Sequence, residues 1–146
     1  MSQVITQLHQ LQADSHSLYI KFHDYHWNVR GMHFFAVHEY TEKAYDQMSE
    51  LFDEIAERAL QLGGKALTCQ KSLLETAKAP TISQESYSAK DVIGAMNQAY
   101  HYLKDEFLKL RHYADDADDF TTVGLAEDNI AELEKSIWMI NCTLDS

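Results

Sequence analysis

Proline occurs once and glycine five times in 146 residues, and no β-branched alternating runs appear, so little in the chain breaks helices or builds strands. Cysteine is as scarce. Cys69 and Cys142, the two present, are too few and too far apart for a disulfide framework or a zinc knuckle, which suits a reducing compartment. No window approaches the roughly 18 apolar residues of a membrane span. Met1 to Gln12 holds no basic residue ahead of an apolar stretch, so a secretory leader is not expected and the expected location is the cytoplasm. Positive charge is short too: 12 Lys and Arg against 23 Asp and Glu leave a net charge of −11 with histidines neutral. Met1-Ser2-Gln3-Val4 and Thr143-Leu144-Asp145-Ser146 contain none of those cations. A protein that coats duplex DNA gathers Lys and Arg against the phosphates, so DNA binding is expected to be weak or absent at neutral pH.

What is present reads as helix. With 45% of residues apolar and 24% charged, the chain can bury a core and solvate a surface, and one domain over residues 1–146 is expected. Gly31, Gly63-Gly64, the segment Ala77 to Ser88 with Pro80, and Asp115-Asp116-Ala117-Asp118-Asp119 divide it into four segments. Each carries an apolar stripe at helical spacing. The first runs Ile5, Leu8, Leu11, Leu18, Phe22, Tyr25, Val29, and the second Val37, Thr41, Ala44, Met48, Leu51, Ile55, Ala59, Leu62. The third reads Ile93, Met96, Tyr100, Leu103, Phe107, Leu110, and the fourth Ala126, Ile130, Leu133, Ile137, Ile140, Leu144. Ser88-Ala-Lys-Asp91 is a capping box for the third. Helices of about 20 to 29 residues in two pairs make an all-α four-helix bundle. The connection between the second and third is long enough to cross the bundle's length, and Ala77 to Ser88 within it has room for a short extra helix or turn. That predicts ferritin-like connectivity over simple up-down-up-down.

Metal-binding residue types concentrate in the first two helices. His38 and Glu42 share a helix face, as do Asp53 and Glu57, and His26 precedes the Gly31 turn so that the hairpin can fold it beside His38. An acidic pair four apart is also what a solvated helix face carries. Asp53 and Glu57, however, neighbour Phe52, Ile55 and Ala56, so at least one is expected near a packed interface, where an uncompensated carboxylate is expensive and a cation relieves it. An intrasubunit di-iron centre of the Glu-x-x-His type is not expected, because no histidine here has Glu three positions before it. Fifteen residues of continuous helix separate His38 from Asp53 by about 22 Å. If both serve one site, it lies between two chains, and a two-fold axis makes two such sites.

The run Tyr25-His26-Trp27-Asn28-Val29-Arg30-Gly31, then Phe35-Ala-Val-His38-Glu39-x-x-Glu42, then Asp53-x-x-Ala56-Glu57-Arg58 resembles the signature of Dps proteins, the ferritin-like DNA-binding proteins from starved cells. Phe34, Tyr40, Tyr45, Gly63 and Glu134-Lys135-Ser136-Ile137-Trp138-Met139 are similar to that family as well, and the short termini look most like its neutrophil-activating-protein branch. The resemblance covers essentially the whole chain. It implies a hollow shell of twelve subunits, a dodecamer, with a ferroxidase centre at the two-fold interface. His26, His38 and Glu42 match the ligands of one subunit, Asp53 and Glu57 those of its partner; where family members often carry Asp, this chain has Glu42. Trp27 matches a tryptophan beside the centre, where its ring either quenches stray one-electron oxidants or packs the interface. Iron is the implied metal, with zinc as a competitor, and the implied reaction oxidises Fe(II) with hydrogen peroxide and stores ferric oxide. The resemblance also implies acidic ion-entry pores near the start of the fourth helix. Glu127 and Asp128 fall there, with Asp118 and Asp119 as outer candidates, although acids near a helix N-terminus are favourable without any pore.

His9, His16 and His23 recur every seven residues with no acidic partner at matching spacing, which predicts surface positions or interhelix polar contacts. His33, His101 and His112 carry no signal. Three functions are therefore set against one another: the peroxide-consuming ferroxidase, a DNA-coating nucleoid protein with little catalysis, and a bundle in which zinc merely staples a dimer. The charge balance tests the second. Duplex DNA is expected to show no mobility shift with this protein at neutral pH and about 150 mM salt; a shift that persists there would overturn the expectation.

Overall fold

The computed structural model describes residues 1–145; Ser146, the last residue of the expected domain, lies outside them. Five helices follow in order, α1 Ser2–Asn28, α2 Phe34–Gln61, α3 Gln70–Thr76, α4 Ala89–Asp116 and α5 Phe120–Leu144. Among the described residues there is no strand, only an isolated bridge between Val29 and Tyr87. No helix among the described residues is long and apolar enough to cross a membrane. The four long helices are those that the stripes predict, and the long connection does hold a short helix, α3, although it precedes Ala77 to Ser88, the stretch expected to hold it. α1 pairs with α2, α4 with α5, and α1 packs on α4 to join the two hairpins. The ring contacts His16 with Phe52 and His23 with Tyr45 run in opposite directions along α1 and α2, as an antiparallel pair requires.

Nearly every stripe residue is buried, with Leu8, Leu11, Phe22, Ile55, Met96, Leu103 and Phe107 among the fully enclosed ones. The exceptions sit at helix ends. Val4 takes the core position expected of Ile5, and Leu62 and Leu144 are only half-buried.

Helix ends follow local chemistry. Gly63, at φ 84°, donates to the carbonyl of Leu60, while Gly64 N–H reaches that of Ala59. This double closure of α2 needs a left-handed residue, and glycine adopts it without a Cβ penalty. The end of α4 uses the same closure with an aspartate: Asp118 has φ 56°, its N–H donates to Asp115, and Asp119 N–H donates to Ala114. Asp119 then caps α5 by accepting from the backbone of Thr122 and forms an ion pair with Arg58 at 3.0 Å. The expected capping box is present at the start of α4.

The connection from α2 to α4 is held down by polar side chains of α1. Gln12 exchanges hydrogen bonds with both backbone groups of Leu67, at 2.8 and 2.9 Å. Buried Asp14 accepts from the backbone of Lys78 and Ala79 and from the hydroxyl of Tyr102. Further along, Tyr87 donates its hydroxyl to Asp24 at 2.6 Å, and the Tyr25 hydroxyl accepts from Ile82 N–H. Backbone groups left without partners by an irregular segment are thus satisfied by α1.

Asp119 yields a pH-dependent prediction. Burial raises its carboxyl pKa, but the bonds from Thr122 and the charge and bonds of Arg58 outweigh this, and the net shift is downward. A depressed folded value means that the stabilisation is complete above the ordinary carboxylate range near pH 4 and is lost as pH falls through the folded value. Asp119→Ala is expected to cost about 2 kcal/mol at neutral pH. Denaturant unfolding of both proteins should show that gap narrowing below about pH 4; a gap constant with pH would contradict the ion pair.

Candidate metal centre

Gly31, at φ 118°, turns the chain between α1 and α2 and brings the last helical turn of α1 against the first turns of α2. Two histidines meet there. His26 Nδ1 lies 2.7 Å from the carbonyl oxygen of His38, and His38 Nδ1 lies 2.9 Å from the carbonyl oxygen of His26. A carbonyl only accepts, so each Nδ1 carries a proton, and in its neutral form each ring has its lone pair on Nε2. The rings stack 3.6 Å apart at 14°. An ion in the plane of one ring therefore lies far from the plane of the other, and the two lone pairs do not converge on a single ion.

The surroundings hold both rings in place and favour the neutral form of His26. His26 is 5% exposed, and burial pushes its pKa below the ordinary histidine value, aided by His38 and His23 and opposed by the His38 carbonyl and the Glu42 carboxylate. Phe34 stacks against His38, and Tyr45 stands edge-on to His26 while stacking on His23 at 3.7 Å. His23 in turn directs its Nδ1 to the carbonyl of Tyr19. Fully buried Thr41 also contacts His26 Nδ1, at 3.1 Å. Besides the aromatic walls Phe34 and Tyr45, His23 and Thr41 are the members that sequence reasoning did not assign to this cluster. The three-residue step from His23 to His26 was the available signal for the first; none marked the second.

Glu42 is exposed one turn beyond His38 on the same face, and Trp27 is 67% exposed with its ring 5.2 Å from that of His23. Asp53 and Glu57 are not brought to the histidines. Both are exposed on α2, one continuous helix from Phe34 to Gln61, so the separation of about 22 Å stands. The expectation that one of them borders a packed interface fails within the single chain. Ile55 faces the core, and residues two positions either side of it are turned about 200° away. Among the described residues, no group of three or more His, Cys, Asp or Glu could hold a metal ion within this chain.

The acidic residues near α5 separate into two kinds. Asp119 is occupied by Arg58 and Thr122, and Asp118 forms the left-handed turn. Glu127 and Asp128 are exposed on α5. Of the other histidines, His9 contacts the Lys65 carbonyl and His16 packs on Phe52, as interhelix and loop contacts, while His112 pairs with Asp116 at 3.4 Å.

Residues 5–146 match the model of the ferritin-like domain. The chain is 37% identical to the DNA protection during starvation protein of Helicobacter pylori over 94% of its own length and 95% of that protein's. It belongs to the Dps family of ferritin-like proteins. Among solved Dps-like structures, Helicobacter cinaedi CAIP superposes with a TM-score of 0.94 at 37% identity, covering 97% of this chain and 99% of the other. A Dps protein from Vibrio cholerae, described as a member of a broad superfamily of ferritin-like diiron-carboxylate proteins, matches with a TM-score of 0.92 at 26% identity over 98% of this chain and 89% of its own.

The buried ring gives the prediction for this Dps chain. In an NMR titration of the metal-free protein, His26 is expected to titrate below about 6.5 from an Nδ1-protonated tautomer. A midpoint at or above that value would contradict the burial argument.

Proposed function

We propose that the protein is an iron-storing ferroxidase that oxidises Fe(II) with hydrogen peroxide at a dinuclear site shared by two-fold-related subunits. The observation that carries this reading is the His26 and His38 pair, each with Nε2 free, stacked 3.6 Å apart. Two lone pairs that do not converge on one ion suit two ions held side by side, and dinuclear sites space their ions by about 3.5–4 Å. Imidazole and carboxylate donors suit Fe(II) and Zn(II) over copper(I), and carboxylates stabilise Fe(III). Fe(II), the substrate, is held by His26, His38 and Glu42 of one subunit and by the partner subunit's Asp53 and Glu57. The unbroken α2 and the exposure of those two carboxylates support a shared site.

In the proposed reaction two Fe(II) each give up one electron. Hydrogen peroxide takes the pair, its O–O bond breaks, and with two protons it leaves as two waters without releasing hydroxyl radical. The Fe(III) hydrolyses and collects as oxide in a hollow dodecameric shell in the cytoplasm, which protects against oxidative damage. Trp27, exposed beside His23, serves as the accessory ring, and Glu127 and Asp128, with Asp118, line the route of entry.

The test is anaerobic Fe(II) loading followed by peroxide, with Fe(III) absorbance and peroxide consumption recorded for the wild type, Asp53→Ala/Glu57→Ala and His26→Ala/His38→Ala. The expected stoichiometry is one peroxide per two irons, with the fast phase lost in either variant. Co-assembling the two variants should restore part of that phase, since mixed pairs rebuild one intact site. Equal rates in all samples would favour the DNA-coating reading, and zinc-dependent stabilisation without peroxide turnover the zinc-stapled one. Absent recovery on co-assembly would refute sharing between subunits.

A further inference from the structure

The buried stripe of α2 is apolar except at Thr41, which has no exposed surface. Valine would fill the same space there without a hydroxyl. Thr41 Oγ1 lies 2.7 Å from the carbonyl oxygen of Val37, 3.1 Å from that of His38 and 3.1 Å from His26 Nδ1. A hydroxyl has one proton, and carbonyls only accept. That proton is directed back along α2, with Val37 the nearer acceptor, so toward His26 the hydroxyl accepts. The Nδ1–H of His26 is thus forked between His38 O at 2.7 Å and Thr41 Oγ1. His38 Nδ1, by contrast, contacts only the His26 carbonyl.

A threonine bonded to the carbonyl one turn back is an ordinary local contact. Here the same oxygen has a second task. One acceptor lets a ring swing about its hydrogen bond; two acceptors on one nitrogen restrict the swing, and a flipped ring would press a C–H against both oxygens. We infer that Thr41 is a positioning residue for His26, holding the imidazole in the orientation and tautomer that present Nε2 to a metal ion. The backbone carbonyl is common to any sequence at position 38, so the hydroxyl is the part of the fork that the side chains encode. This inference rests on the metal-site reading above.

Thr41→Val removes the acceptor and keeps the shape, and Thr41→Ser restores it. Co(II) accepts the same nitrogen and oxygen donors as Fe(II) and reports their geometry through its visible absorption. The full-length assembled proteins are titrated with Co(II) alone, following calorimetry and the visible bands, with circular dichroism to check the helices. T41V is expected to bind Co(II) about tenfold more weakly, at the low end for loss of a partner to a ligating histidine, with altered bands, and T41S is expected to recover both. Wild-type affinity and bands in T41V, or no recovery in T41S, overturn the inference. His26→Ala separates the two levels: if it abolishes tight binding while T41V binds normally, only the role of Thr41 falls. If H26A binds Co(II) as the wild type does, the metal site falls and Thr41 with it. Should T41V fail to assemble, Thr41→Ala, which leaves space in place of strain, replaces it with the same expected outcomes.

Discussion

The exchange of ring N–H for backbone carbonyl between His26 and His38 is the interaction on which the arrangement depends. It joins the end of α1 to the start of α2 across the Gly31 turn, so the geometry of a helix hairpin becomes the geometry of two ligand atoms. Both donors are spent on the backbone, and both acceptor nitrogens remain available. A misplaced turn would therefore misdirect two ring nitrogens at once. The stack of Phe34, His38 and His26, closed by Tyr45, supplies the walls that hold the rings against this hydrogen-bonded frame.

The fold was legible because the core faces of α2, α4 and α5 are apolar at regular intervals, with Thr41, Glu106 and Thr122 as the buried polar exceptions. α1 was less so. Gln7, Gln12, Asp14 and Ser15 are all buried, yet a polar side chain on a helix reads as solvent-facing, and nothing local shows that α4 will take up Gln7 or that the connection between α2 and α4 will come to rest on Gln12 and Asp14. Tyr87 poses the same problem from the loop side, since its burial depends on Asp24 and on the end of α1.

The candidate site divides similarly. His26 and His38 could be brought together from the sequence because a short turn separates them. The separation of Asp53 and Glu57 was equally legible, since it needs only the rise of a helix, and α2 proves continuous. Thr41 looked like a stripe residue and is one. Its second role depends on where a hydroxyl lone pair points, which periodicity does not encode. Asp118 and Asp119 drew attention as charges, but their main structural part is conformational: one supplies a left-handed residue and the other a cap.

The long connection between the hairpins carries an entropic cost. Its ties to α1 join residues 55 to 66 positions apart, as between Gln12 and Leu67 or Gln10 and Thr76, whereas each hairpin closes through a turn of a few residues. Loop-closure entropy makes such distant contacts costlier to form than those across the hairpin turns. α1 acts as a template: its polar side offers a row of acceptors and donors that hold an irregular strap in one register. The molecule is in this sense two helical hairpins and a latch, with the latch written mostly into the helix that receives it.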